Sequence, residues 1–380
     1  MKKLLLSITI FTFILGCKET EIDPAEQQKG VLEGYAQLVY ANYDDAVITA
    51  KTLQGTISNL VSNPSEETLK KARTAWLAAR FPYGQTEAFR FYGGPIDGEN
   101  GPEGLINGWP LDESYIDYVE GNANAGIVND ALNFPEITKE VLIDANENGS
   151  ETNLSTGYHA IEFLLWGQDF NDNGPGNRPY TDYSTAPNAD RRGLYLTLAA
   201  ELLVENLTQV RDQWAEGAAY RNTFIGGGNE SIAKIFRGIG ALSKGELAGE
   251  RMTVALANKD QEDEHSCFSD NTKADIELNQ RGIRNVYVGK YERIDGSPIS
   301  VSSISGLVQA KNPAKNETVL NYLSQSAFNI LAIPYPFDSA IRKGDPNGSI
   351  EASIISLRAL SDAIVDAGLE LGIQVNAELD

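Results

Sequence analysis

From Val31 onward, Tyr35, Leu38, Asn42, Ala46, Ala50, Leu53, Ile57 and Leu60 recur in steps of three or four, mostly as small or apolar residues. That period is one face of an α-helix and predicts a long amphipathic one. Asn63, Pro64 and Ser65 stop it and cap a second helix, whose buried face is Leu69, Ala72, Trp76 and Ala79. The second helix runs into residues 80–97, where helical spacing mixes with polar and aromatic side chains suited to lining a site. Residues 93–113 are rich in Gly and Pro and too long for a simple connection, which favours a functional loop. Shorter helical patterns cover about 113–119 and 135–144, and a compact apolar one spans 155–168. After a second irregular stretch, 167–189, long helical patterns return over 191–214, 230–258, 273–288, 317–333 and 350–371. Alternating strand patterns with hairpin turns are largely absent. The expectation is an all-α protein of two helical-bundle domains, 30–180 and 181–380, with long irregular loops.

The first sixteen residues change the address. Lys2 and Lys3 precede an apolar run from Leu4 to Leu15 that is too short to span a bilayer and reads as a secretory signal. Its end, Ile14-Leu15-Gly16-Cys17, resembles the lipobox of bacterial lipoproteins. This predicts cleavage before Cys17, a lipid on that cysteine, and residues 17–29 as a polar tether. The net charge of the whole chain is −22, and removal of residues 1–16 leaves 29 basic against 53 acidic side chains, or −24. Such a surface argues against nucleic acid as partner and is compatible with collecting cations. With Cys17 lipidated, Cys267 has no intramolecular partner, so no disulfide framework is expected.

The chain has only two histidines, and each stands three residues from a glutamate. In the 155–168 pattern, His159 and Glu162 fall on one helical face and can reach one small object, a metal ion or a proton. The plainer alternative is a histidine hydrogen-bonded to a core glutamate. Ser155 or Thr156 supplies an N-cap and Gly167 the C-terminal stop. Two ligands do not complete a zinc site, and the spacing differs from HExxH. His265 follows Glu262 in a stretch that also holds Asp260, Asp263, Glu264 and Asp270. Paired ExxH and HxxE elements echo di-iron bundles only in part. Glu246 falls on the apolar row Ile235, Ile239, Leu242 and needs a partner such as Arg251 or a cation, while Tyr83, Glu87 and Arg90 share a helical face. Two stretches, 144–149 and 169–174, match the opening of a calcium loop, but Ser155 and Tyr180 occupy the twelfth positions where a bidentate Glu is required.

Three separated stretches together resemble the imelysin-like proteins, in particular their iron-regulated protein A branch. GYHAIEFLLWGQ fits the GxHxxE signature at Gly157, His159 and Glu162, and it is flanked in order by RFPYGQTEAFRFYGGPID and GELAGERMTVALANKDQEDEHSCFSDN. The resemblance implies paired four-helix bundles with the GxHxxE helix near the domain interface, envelope localisation, and a place among iron-acquisition components. Members are often classed as metallopeptidases.

Three functions follow as expectations. The first is a lipid-anchored protein of the cell envelope, at the outer membrane of a Gram-negative bacterium, that binds iron, another divalent cation or an iron complex. Its interdomain site would hold His159 and Glu162, with Glu87, Asp97, Asp263 and His265 as the oxygen-rich surroundings of a hard or borderline metal. The second is a zinc metallopeptidase using His159 and Glu162. The third is a structural envelope protein whose HxxE pair stabilises an interface.

Overall fold

The computed structural model describes residues 23–171 and 173–379. The signal, Cys17 and the first part of the tether lie outside the described residues, as does Asp172 of the second calcium-like stretch.

The fold is all-α apart from one two-stranded sheet among the described residues. Helix α1 (Pro24–Ser62) begins where the Asp23 carboxylate accepts from the Ala25 amide at 3.0 Å, so residues 24–29, expected as tether, are its first turns. A capping box starts α2 (Glu66–Thr86): Ser65 Oγ accepts from the Thr68 amide at 3.2 Å and Thr68 Oγ1 from the Ser65 amide at 3.0 Å. The remaining long helices are α3 (Gly157–Trp166), α4 (Ala189–Gln213), α5 (Asn229–Ala241), α6 (Thr272–Val288), α7 (Pro313–Leu331) and α8 (Ser349–Glu370). A π-helix, Leu242–Val254, continues α5 without a break.

Helices α1, α2, α3 and α4 pack as one group, and α5 with its π extension, α6, α7 and α8 as a second. Helix α4 lies against α1 and α3, so the division expected at 180/181 cuts through one packed group. Packing of α2 on α6 joins the two groups, and one hydrophobic core runs through both, including Trp76, Tyr158, Leu203, Ile283 and Leu357. No helix among the described residues is long and apolar enough to cross a membrane.

The one sheet among the described residues is a hairpin, β1 (Lys290–Glu292) with β2 (Pro298–Ser300), three residues a side, which agrees with the expectation that strands are largely absent. Its signal was Asp295-Gly296, with Gly296 at φ +81° turning the chain. Asn42, the polar member of the α1 row, is also explained: its amide donates to the Pro82 carbonyl at 2.9 Å inside α2.

Candidate functional site

The short helix α3 is buried over its whole length. Gly157 opens it at φ +84°, and a Cβ there would stand 2.5 Å from the Ile106 carbonyl oxygen, so both the backbone angle and the close approach demand glycine. Gly167 closes the helix at φ +71°, its amide bonding the Phe163 carbonyl. Between them, His159 Nδ1 lies 2.9 Å from Glu162 Oε2. The other oxygen, Glu162 Oε1, accepts from the Ser269 amide at 3.0 Å and the Ser269 hydroxyl at 2.7 Å.

The second histidine arrives from 106 residues further along. His265 lies with its ring centroid 4.7 Å from that of His159, the planes crossing at 73°. His159, Glu162 and His265 therefore converge, although Glu262, one expected helical turn from His265, does not join them. Residues 261–263 form a 3-10 turn and the α-helical spacing fails there, leaving Glu262 exposed and facing Glu113.

Arg80 organises the floor. Its Nε donates to Asp275 Oδ1 at 3.1 Å and its Nη1 to Asn107 Oδ1 at 2.5 Å, while its guanidinium sits 5.0 to 5.6 Å from the rings of Tyr158, Tyr83 and Trp76. Arg80 fixes the Asn107 oxygen, which turns the Asn107 amide to donate to His265 Nε2 at 3.4 Å; His265 Nδ1 lies between Asp275 Oδ2 at 3.3 Å, which can accept its proton, and Arg80 Nη2 at 3.4 Å. Burial would raise the Asp275 carboxyl, but Arg80 and His265 outweigh it and hold it well below the usual carboxylate range. Burial, together with His265 and Arg80, pushes the His159 imidazole well below its usual value, and burial with Arg251 lowers His265 to about 4. Both rings are neutral at neutral pH. Glu162 moves the other way, to about 8, chiefly by burial. Its acid form donates to His159 Nδ1 and leaves Nε2 as an N–H; its ionised form accepts from Nδ1–H and leaves Nε2 with a lone pair. In either form the buried Nε2 of His159 has no hydrogen-bond partner.

The raised Glu162 carboxyl makes stability pH-dependent. In the unfolded chain it ionises near 4.5 and in the fold near 8, so stability is lost as pH rises through that window. Glu162→Gln mimics the protonated acid, donating to His159 and accepting from Ser269. Urea unfolding across pH 5 to 8 is expected to show the variant gaining on the wild type with rising pH, by a few kcal/mol at most. A constant difference across the range would remove Glu162 as the titrating group.

Above the floor a cleft of about 350 Å³ opens between Trp109, Glu103, Arg90, Glu246, Arg251 and His265. Its ion pairs depend on the π-helix. At about 4.4 residues per π turn, Glu246 and Arg251, five apart, come to one face, where Arg251 Nη2 meets Glu246 Oε1 at 2.9 Å. Arg251 also pairs with Glu87 at 2.7 Å and Arg90 with Glu87 at 2.8 Å. Burial would raise the Glu87 carboxyl, but the arginines outweigh it and hold it at about 2. Glu87 is thus the counter-ion of two arginines, and Tyr83 is buried against Tyr158, ring centroids 4.7 Å apart.

Two expected ligands are elsewhere. Asp97 accepts from the amides of Phe91 and Gly94, bracing its own loop, and half-buried Asp263 accepts from Asn258 Nδ2 at 2.8 Å. Local loop bonds occupy both carboxylates. In the calcium-like stretches, Asp144 is exposed, and Asp169 Oδ1 closes a local turn by accepting from the Asn171 amide at 2.8 Å. Among the described residues, no three His, Cys, Asp or Glu side chains are grouped to hold a metal ion. Sequence reasoning missed Arg80, Asn107, Ser269 and Asp275. Only Arg80 gave a signal, as a charge one turn beyond Trp76 on a buried helical face.

The imelysin family (Peptidase M75) matches residues 39–364. The chain belongs to that family. It is 24% identical over 371 residues to iron-regulated protein A of Synechococcus elongatus, covering 93% of this chain and 89% of that one. Among solved structures it resembles an iron-regulated protein A precursor from Parabacteroides distasonis, with TM-score 0.71 and 19% identity over 92% of this chain and 97% of the other. It also resembles an imelysin-like protein from Psychrobacter arcticum, with TM-score 0.66 and 15% identity over 93% and 98%. These structural likenesses establish the shared, mostly helical fold.

Proposed function

We propose that this imelysin-family protein captures a divalent metal ion, iron foremost, or a compact iron complex where the cleft lined by His265 meets the buried His159 behind it, and serves iron acquisition at the cell envelope. The observation that carries this reading is the unpartnered, buried Nε2 of His159 beside the second imidazole. A buried ring nitrogen without a partner is costly, and a ligand that engages it removes the cost. The donor chemistry fits in part. Two imidazoles with Glu162 suit iron(II) or zinc, but Glu162 lies on the Nδ1 side of His159 and Asp275 is tied to Arg80. Near neutral pH the protonated Glu162 leaves His159 Nε2 as an N–H, so a metal binds there only as Glu162 ionises and the ring proton moves to Nδ1. The protein then offers two nitrogen donors and leaves the remaining positions to ligands the cargo brings, water or a chelate. The iron-regulated name of its relatives agrees with iron as cargo.

Zinc proteolysis fits less well, because no glutamate adjoins a first histidine as general base. Anaerobic calorimetric titration with iron(II), and separately with zinc, is the test. One saturable site that weakens in His159→Ala is expected; heat no different from buffer, or an unaffected variant, overturns the reading. The envelope location rests on Cys17 as lipid attachment point. Cell fractionation should find the wild type with membranes and Cys17→Ala released; retention of the variant would remove the anchor.

A further inference from the structure

On the far side of the α2–α6 pair from the histidines lies an open groove of about 1180 Å³. Helix α2 turns Arg80 inward and Leu77 and Phe81 outward, 40% and 42% exposed, into this groove. Helix α6 likewise buries Asp275 and Asn279 and exposes Arg281 and Arg284. The Arg281 guanidinium lies 5.3 Å from the Phe81 ring centroid. Lys290 of β1 adds a third exposed cation, and half-buried Arg293 is already neutralised by Asp44 and Asp45. Among the described residues, Arg281, Arg284 and Lys290 make no ion pair with a carboxylate, and Glu292 is the groove's one acidic lining residue. In a chain of net charge −22, this is a local reversal of sign around an apolar strip.

The hairpin contributes a backbone edge. Arg293 donates to the Ser297 carbonyl and Val301 to that of Gly289, so in the antiparallel register the odd-numbered β1 residues face β2. The backbone groups of Lys290 and Glu292 consequently point to the outer edge, where an extended segment can pair with them. A single extended chain can lie along an open groove of this volume with its backbone against the hairpin edge.

We propose that this groove receives an extended acidic segment of a partner protein, paired to the hairpin edge, with apolar side chains over Leu77 and Phe81 and carboxylates on Arg281, Arg284 and Lys290. Docking there touches the two helices that carry Arg80 and Asp275 on their other faces, and Gln85 and Asn285 bond across the pair at 2.9 Å.

The test is fluorescence anisotropy of the full chain with a labelled short peptide alternating glutamate with leucine. Saturable binding is expected, weakening with added salt and by at least ~10-fold in Arg284→Glu/Lys290→Glu with an unchanged melting temperature. A matched peptide with lysine in place of glutamate should not bind. Failure of the acidic peptide, or equal binding by the double variant, overturns the proposal. Flotation with phosphatidylserine vesicles lost in the double variant, without peptide binding, would assign the groove to a membrane instead. Dimerisation on sedimentation, abolished by the double variant, would assign it to a second copy.

Discussion

Replacing Arg80 with methionine is expected to destabilise the protein by about 3 to 5 kcal/mol, the usual result of stripping one partner from a buried ion pair. Both members are inaccessible: the side chains of Arg80 and Asp275 are 1% and 0% exposed. Methionine fills much of the same volume but leaves the Asp275 carboxylate without its cation, the Asn107 oxygen without its donor, and three aromatic rings without the charge at their centre. The loss should therefore exceed that of an apolar truncation of similar size. Urea denaturation at neutral pH measures it. The double variant Arg80→Met/Asp275→Leu separates charge from shape, since removing both charges should recover much of the loss. If the single variant costs less than about 1 kcal/mol, or the double variant is worse, the pair does not hold the floor together.

The second large effect concerns cargo. His159→Ala is expected to weaken metal binding by about 100-fold or more, since loss of a partner that merely supports a ligand already costs about 10- to 100-fold. His265→Ala should weaken it less. The distinction follows from what each ring nitrogen already does: His159 Nε2 has no partner, whereas His265 Nε2 accepts from Asn107 and must give up that bond to reach a ligand. Asp97→Asn and Asp263→Asn, whose carboxylates are occupied in their own loops, should leave affinity unchanged. Calorimetry of the four variants checks the order. A larger loss in Asp97→Asn or Asp263→Asn than in His159→Ala would place the cargo elsewhere.

The helices were legible because their information is local. The row from Tyr35 to Leu60 is one face of α1 whatever surrounds it, and the Asn63-Pro64-Ser65 signal lies where the helix indeed stops. The HxxE pair was legible for the same reason, since two side chains one turn apart meet without outside help. Reasoning of this kind failed where the helical period itself failed. The three-residue spacing of Glu262 and His265 brings two side chains together only on an α-helix, and residues 261–263 are instead a 3-10 turn followed by loop. Glu246 and Arg251 were suggested as partners, but it is the π-helix that puts residues five apart on one face.

Carboxylates showed the limit most clearly. Glu87, Asp97 and Asp263 have the right chemistry for a metal, yet two arginines claim the first and loop amides or an asparagine the others. Competition among donors separated by up to 164 residues decides this. No spacing rule records it.

By itself, then, the sequence determined the helical class, the approximate bounds of the GxHxxE helix and its two potential ligands, set by backbone periodicity and by the glycines at its ends. The expected Ser155 or Thr156 side-chain cap is not made, because those hydroxyls bond Leu142 and Asn146. Tertiary structure alone decided that His265 joins His159, that Arg80 and Asp275 form the floor beneath them, and that Glu162 stays protonated near neutral pH. Those outcomes depend on burial and on which distant charges share a small volume, quantities that exist only once the helices have packed.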